Sequence, residues 1–339
     1  MNKNVIVRVP FRVSFFGGGT DFPEYFNKDQ GVVIGTTINK YSYVSVNLLE
    51  KILDNNIKLS YSKLEIVRNI DDLIHPLAKQ VLLENEEIIK DHFVDMHSYA
   101  DLPSGTGIAS SSAFTVGIII AFNCLMGKYN TPKEISLNAI EIERLKAKLI
   151  GGWQDQIHCA FGGLNKIVFQ NNDFQIYPIS IKNKLINHLE DSLFLVHLDS
   201  QRSSNKIQEN MINNNTFDSK DKLDYLNELK KIAQEAYELC ISNIAEDDFL
   251  SEFGRLLNHN WLMKKKLNSS SSTSEIDQLY DNLMDAGIYG GKLIGAGGGG
   301  FLLILMNKSK KQEILNEIGN RKIINIKFEN NGPRILWVN

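Results

Sequence analysis

Between Asp101 and Ala113 the chain reads Asp-Leu-Pro-Ser-Gly-Thr-Gly-Ile-Ala-Ser-Ser-Ser-Ala, directly before the uncharged run Phe114–Leu125. Glycines leave backbone N–H groups unshielded. If the apolar run is a helix, its first turn adds unpaired N–H groups and the positive end of its dipole. That is an anion site, and the usual anion is phosphate. A Gly/Ser linker is the alternative reading, but a linker would not run straight into a buried-looking helix. No Gly-Lys-Ser/Thr follows, so this is not a Walker A loop. Two further clusters stand early and late in the chain: Gly17-Gly18-Gly19 before Thr20-Asp21, and Gly295-Ala296-Gly297-Gly298-Gly299-Gly300 behind Lys292-Leu293-Ile294. A tight turn explains any one of them. Three together point to backbones that approach a ligand, or one another, closely.

In that order the clusters resemble the three motifs of the GHMP kinases, the family of galactokinase, homoserine kinase, mevalonate kinase and phosphomevalonate kinase. The family's central motif reads Pro-x-Gly-x-Gly-Leu-x-Ser-Ser-Ala. Here Pro103, Gly105, Gly107, Ser110 and Ser111 match, Ile108 stands for Leu and Ser112 for Ala. The resemblance implies ATP and Mg2+. The loop residues Pro103, Ser104, Gly105, Thr106, Gly107, Ile108, Ala109, Ser110 and Ser111 would surround the nucleotide phosphates. Ser111 and Glu143 would hold the metal, although Glu143 also reads as a solvated helix face shared with Glu141. Asp155, in Gly151-Gly152-Trp153-Gln154-Asp155-Gln156, would face the acceptor hydroxyl, accepting its proton or orienting it. Arg12 would stabilise Asp155 and the transferring phosphoryl group. Gly18, Gly19, Thr20, Asp21 and Gly298 would lie at the sugar; a plain helix N-cap is the other reading of Asp21.

Many family members carry Gly-Glu-His before that Asp. This chain has glycines there, as in the members acting on heptose phosphate. The resemblance therefore implies ATP-dependent phosphorylation of the C1 hydroxyl of heptose 7-phosphate to the 1,7-bisphosphate, in nucleotide-activated heptose biosynthesis. A phosphorylated acceptor needs a cation at its far end, and Lys148, Arg202 and Lys206 are the candidates. Arg202, set among hydroxyls in Ser200–Ser204, is the most suggestive, and equally reads as a surface-loop Arg. Two rivals stand beside this: a fucokinase- or galactokinase-like enzyme acting on a free sugar, and a non-catalytic nucleotide-binding protein.

Positioning these residues takes a mixture of strands and helices. Val5–Val9 and Arg12–Phe16 read as strands separated by Pro10, as do Val32–Ile38, Tyr41–Leu49 and Phe93–Tyr99. Ser112–Leu125 reads as a buried helix. Thr131-Pro132-Lys133-Glu134 is a helix start, and that helix should reach about Leu149. Trp153–Phe161 should be another helix, followed by a hairpin across Asn171-Asn172-Asp173. Composition shifts near 180–188. Beyond it come a strand at Leu193–Leu198, amphipathic helices at Leu223–Ala245 and Asp248–Leu267, and an apolar strand at Phe301–Met306. The pattern is α+β or mixed α/β, in two layers. By resemblance, residues 1–185 form an α/β domain like ribosomal protein S5 domain 2, residues 186–339 a ferredoxin-like α+β domain, and the active site lies between them.

A chain of 339 residues with 43% hydrophobic and 23% charged residues has the composition of a globular protein with a good core. A net charge of −3 argues against a general nucleic-acid binder. No signal-peptide pattern opens the sequence, and no apolar stretch is long enough to cross a bilayer, so a small-molecule enzyme of the cytoplasm is expected. Cys124, Cys159 and Cys240 are odd in number and far apart, forming neither a disulfide framework nor a zinc pattern. His97, His158 and His197 lie in apolar contexts and read as core or near-core residues.

Overall fold

The structure, a computed structural model, describes residues 3–52, 54–198, 209 and 217–339. Arg202 and Lys206 lie outside the described residues. The first sheet contains β1 (Asn4–Phe16), β2 (Gly31–Leu49), β3 (Ile57–Ser60), β4 (Leu64–Val67), β5 (Phe93–Ala100), β6 (Leu164–Gln170) and β7 (Asp173–Pro178). The second contains β8 (Leu193–Leu198), β9 (Gly290–Leu293), β10 (Gly300–Leu305) and β11 (Ile323–Asn325). The last strand, β12 (Arg334–Val338), returns to the first sheet beside β1.

Two predicted breaks, at Pro10 and between Ile38 and Tyr41, are absent. β1 runs through Pro10, because its partner absorbs the proline: Pro10 pairs with Tyr41 and Phe11 with Ile38, so Asn39 and Lys40 bulge out of β2. Burial alternates along β1 up to Val9 and is continuous from there to Phe16. The outer half therefore has one covered face, and the half carrying Arg12 is covered on both. Elsewhere the turn chemistry acts as read. Asn171 and Asn172, with φ of 52° and 53°, form the two-residue turn between β6 and β7; paired left-handed residues suit the twist of a hairpin.

Helices α1 (Pro76–Glu84), α2 (Ser110–Leu125), α3 (Pro132–Ile140) and α4 (Gln154–Phe161) belong to the first half. α2 packs on β1 and β2. Gly117 permits this close approach, since a Cβ there would stand 2.8 Å from Val44 Cγ2. α3 starts with the predicted capping box: Thr131 Oγ1 accepts from the Glu134 N–H, and Glu134 Oε2 accepts from the Thr131 N–H. It does not continue to Leu149. A π-helical turn over Glu141–Lys146 follows, closed by Ala147 N–H donating to Ile142 O at 2.8 Å.

The second half adds α5 (Asn183–Ser192), α6 (Lys220–Ile241), α7 (Glu246–Leu267), α8 (Ser274–Asp285) and α9 (Lys311–Ile318). Its sheet order, β11-β8-β10-β9, is antiparallel throughout. That order is the ferredoxin-like arrangement implied by the resemblance. The boundary expected at residue 185 falls inside α5, and α6 packs on β2 of the first sheet. With β12 also crossing back, the two sheets draw on non-contiguous stretches of chain. Phe253 of α7 meets Phe15 and Phe16 edge-on at 5.4 and 5.0 Å between ring centroids. Such pairs add about 0.5–1.5 kcal/mol beyond area burial. Among the described residues, no helix is long and apolar enough to cross a membrane.

Candidate active site

One cavity gathers all three glycine clusters. Gly18 and Gly19 line it from the N-terminal motif, Gly105 and Gly107 from the central loop, and Gly295, Gly297 and Gly299 from the late one. The loops meet backbone to backbone. Gly107 has φ of +84°, and a Cβ on it would lie 2.5 Å from Ile294 O; one on Gly295, at φ +70°, would lie 2.4 Å from Gly107 Cα. Neither position accepts a side chain. At the end of the central loop Ala109 also takes a left-handed φ of 63° as the N-cap of α2. A non-glycine residue held there stores strain of order 1–2 kcal/mol. The turn frees the N-terminus of α2 to face the cavity, with Ser110, Ser111 and Ser112 along its first turn. The N–H groups and dipole of that turn point into the cavity, where an anion would be favoured.

Not every residue of the central motif faces inward. Ile108 is buried in the core, and Thr106 Oγ1 donates to Pro103 O at 2.7 Å, tying the loop to itself. Pro103, Ser104, Thr106 and Ile108 shape the loop, whereas Gly105, Gly107, Ala109, Ser110 and Ser111 line the cavity. Thr20, expected at the sugar, turns into the fold: its hydroxyl bonds Gly17 O and Val32 O. Gly298 donates its N–H to Ser271 O at 3.0 Å and stands outside the lining that its neighbours Gly297 and Gly299 form. Lys148 is exposed and also lies outside that lining.

Arg12 and Asp155 come together. Arg12 Nε and one terminal nitrogen both donate to Asp155 Oδ1, at 2.9 and 2.6 Å, and the other terminal nitrogen donates to Gly107 O at 2.7 Å. The Arg12 side chain is 4% exposed and that of Asp155 27%. One guanidinium thus fixes the carboxylate and the phosphate loop at once. Both bonds fall on Oδ1, leaving Oδ2 of this partly open carboxylate for another partner. Asp21 lies beside them, buried, with Oδ1 accepting from the Gly19 N–H at 2.9 Å. Burial pushes its carboxyl above the ordinary value, against the Gly19 amide, and the charge of Asp155 adds to the rise. Gly152 is required here, because a Cβ would fall 2.0 Å from Asp21 Oδ2. His158 is a core residue, as read. Burial, reinforced by Arg12, pushes its imidazole down to about 3 and keeps it neutral.

Glu143 occupies the π turn and is 2% exposed, so the solvated-face reading does not hold. Its Oε2 accepts from Ser112 Oγ at 3.1 Å and Gln156 Nε2 at 2.7 Å. Burial raises its carboxyl above the usual range, with Arg144 opposing. Among the described residues, its buried Oε1 has no hydrogen-bond partner, and neither has Ser110 Oγ at the start of α2. The Arg144 guanidinium stands 3.7 Å from Oε2 but leaves Oε1 without a donor, and a buried carboxylate oxygen in that state costs several kcal/mol unless a further cation is near. Hydroxyl and carboxylate oxygens are the hard donors that magnesium takes, and it commonly uses one or two carboxylates plus substrate phosphates. The residues present therefore fit the ion. The hydroxyl bonded to Glu143 is that of Ser112; Ser111 lines the cavity one residue earlier.

Among the lining residues that were not sequence candidates are Ser14, Gln154, Lys264 and Lys292. Ser14 had a signal, since it shares the face of β1 with Arg12 two residues away. Lys264 had one on α7, whose Phe253, Asn260 and Lys264 recur at helical spacing. Phe253 packs on Phe15, and Asn260 Oδ1 accepts from the Gly17 N–H at 3.1 Å. One face of α7 is thereby latched onto the N-terminal motif.

Comparison with known proteins agrees with this fold. The family profile described as GHMP kinases N terminal domain matches residues 74–163, and the one described as GHMP kinases C terminal matches residues 241–325. A D-glycero-alpha-D-manno-heptose 7-phosphate kinase of Campylobacter jejuni is 32% identical, with 93% of each chain covered. A bifunctional fucokinase/GDP-fucose pyrophosphorylase of Arabidopsis thaliana is 25% identical over 92% of this chain and 30% of its own. The crystal structure of a D-glycero-D-manno-heptose 1-phosphate kinase from Bacteroides thetaiotaomicron superposes with a TM-score of 0.75, at 24% identity, covering 98% of this chain and 99% of that one.

Proposed function

This chain belongs to the GHMP kinases and has their fold, and on that premise we propose that it transfers the γ-phosphoryl group of ATP to the C1 hydroxyl of D-glycero-D-manno-heptose 7-phosphate. The product is the 1,7-bisphosphate, a step toward nucleotide-activated heptose. The observation that carries the reading is the Arg12–Asp155 pair, seated in the same cavity as the phosphate loop. A protein that only senses nucleotide needs the loop and has no use for a buried guanidinium holding a carboxylate.

Phosphoryl transfer asks for positioning and charge neutralisation more than for covalent chemistry. The N–H groups from Gly105 to the first turn of α2 hold the nucleotide phosphates. Asp155 uses Oδ2 to orient the acceptor hydroxyl and take its proton. Arg12 keeps that carboxylate in place and supplies positive charge where the transferring group gathers negative charge. Glu143, with a loop hydroxyl from Ser110, Ser111 or Ser112, would hold magnesium, which neutralises phosphate charge when bound. Asp21, fixed by Gly19 and Gln154 amides, recognises sugar hydroxyls.

The heptose assignment is supported by the 32% identical relative and by the glycines at 17–19. The test is a turnover panel with ATP: D-glycero-D-manno-heptose 7-phosphate, unphosphorylated heptose, fucose and galactose. The highest kcat/KM is expected for the heptose 7-phosphate. Fucose or galactose leading the panel would move the chain to a free-sugar kinase, and no turnover with any sugar would restore the non-catalytic reading.

A further inference from the structure

Two lysines on the cavity wall have no place in the reading above. Lys292, at the end of β9, is buried and donates to Phe15 O at 2.8 Å. Lys264, in the last turn of α7, is half-buried and bonds the carbonyls of Leu293 and Gly295. Among the described residues, neither ammonium has a carboxylate within ion-pair distance, although ion pairs are common elsewhere in the chain. Burying a cation against carbonyls alone is expensive, and proteins retain it where a ligand supplies the missing charge. Each ammonium has three donors, and carbonyls do not consume all of them.

We propose that Lys264 and Lys292 together form the seat for the phosphate group that the acceptor sugar already carries. The assignment rests on the sugar-phosphate reading above. Location separates this seat from the nucleotide site. The nucleotide phosphates have the amides of the central loop and the α2 dipole on one wall. The lysines come from α7 and β9 on another: Lys292 attaches to the N-terminal motif through Phe15 O, and Lys264 bonds the late cluster through Gly295 O while sitting on the helix that latches Gly17. Arg12 and Asp21 act electrostatically on both ammoniums, and Lys264 acts on Lys292; Asp21 is the sugar-side carboxylate. A phosphate monoester dianion reaching this wall pairs with two cations whose positions are already fixed, so little side-chain entropy is lost.

The electrostatic state fits a receptor for an anion. Burial, with the Arg12 charge beside it, pushes the Lys264 ammonium down to about 8, and burial with Lys264 alongside pushes Lys292 well below the ordinary lysine value. An incoming dianion reverses both shifts, so binding takes up protons in the alkaline range. Affinity for the sugar phosphate therefore falls as pH rises through about 8, where Lys264 loses its proton.

The experiment is steady-state kinetics of Lys264→Met and Lys292→Met on both heptose 7-phosphate and unphosphorylated heptose, with ATP varied separately. Losing one ammonium–phosphate contact should raise KM for the sugar phosphate about tenfold to a hundredfold. The preference for the phosphorylated over the unphosphorylated sugar should shrink by the same factor. Lys264→Arg and Lys292→Arg, whose thermal melts check folding, should recover most of that preference, and Lys264→Arg should carry it to higher pH. Equal losses on both sugars, or a rise confined to the KM for ATP, would overturn the assignment and put the lysines at the transferring phosphoryl group or in the scaffold. A wild-type enzyme with no preference for a phosphorylated sugar would remove the premise itself. A wild-type preference left intact in both Met variants would remove only the lysines.

Discussion

Arg12 carries a permanent charge on a side chain that is 4% exposed, and such a charge is tolerated only when paired. Asp155→Asn keeps the shape of its partner and removes the charge and the basic oxygen. Turnover should fall by about two to four orders of magnitude, while calorimetric titration still shows nucleotide binding to the loop. An Asn variant that keeps most of its turnover would take Asp155 out of the chemistry. Both members of this pair were legible in the sequence, because each sits inside a glycine-marked motif. Ser112 and the two lysines were not. Ser112 differs from Ser111 only by a step around α2, and one chain does not reveal which step meets Glu143. The lysines pair with backbone carbonyls, which leave no trace in side-chain identity, and Lys264 falls within an ordinary amphipathic pattern.

At the scale of elements, local chemistry was readable and long-range accommodation was not. The capping box at Thr131 and the Asn171-Asn172 turn are made by neighbours in sequence, and both formed as read. The passage of β1 through Pro10 depends on a bulge in β2, and the early end of α3 depends on a π turn with no residue signature. That turn has a mechanical role. A π turn holds one residue more than an α turn, and here it lets Glu143 reach both Ser112, earlier in the chain, and Gln156, later. Deleting Leu145, whose side chain is 70% exposed, would restore α-helical register. The segments on either side would then rotate by about 100° relative to each other, and Glu143 would lose one partner. Turnover should drop by more than about a hundredfold with the helical circular dichroism retained, whereas Leu145→Ala, which removes an exposed side chain in register, should shift stability by no more than about 0.5 kcal/mol. A deletion variant as active as wild type would show that the π turn aims nothing.

Across the whole molecule, the cavity is assembled from both ends of the chain. α7 latches the N-terminal motif through Phe253 and Asn260, and Gly295 lies against Gly107. Gly295→Ala would place a methyl group 2.4 Å from Gly107 Cα and demand an unfavourable φ of +70°. ATP affinity should weaken by about tenfold or more, because the amides proposed to hold phosphate belong to the loop displaced; calorimetry reads this directly. Unchanged affinity would mean that the central loop keeps its shape without the late cluster. The glycine clusters announced this site in the sequence, yet the contact between two of them could not be read there, since it joins backbones rather than side chains. The same contact limits how the site can be exchanged with a relative's. The phosphate loop is not a portable part: its contour is moulded on a second loop encoded far downstream, and a chimera that imports either one alone brings a mismatched surface to the joint. A working exchange has to move the two clusters as a pair, with the stretch of α7 that pins the first motif.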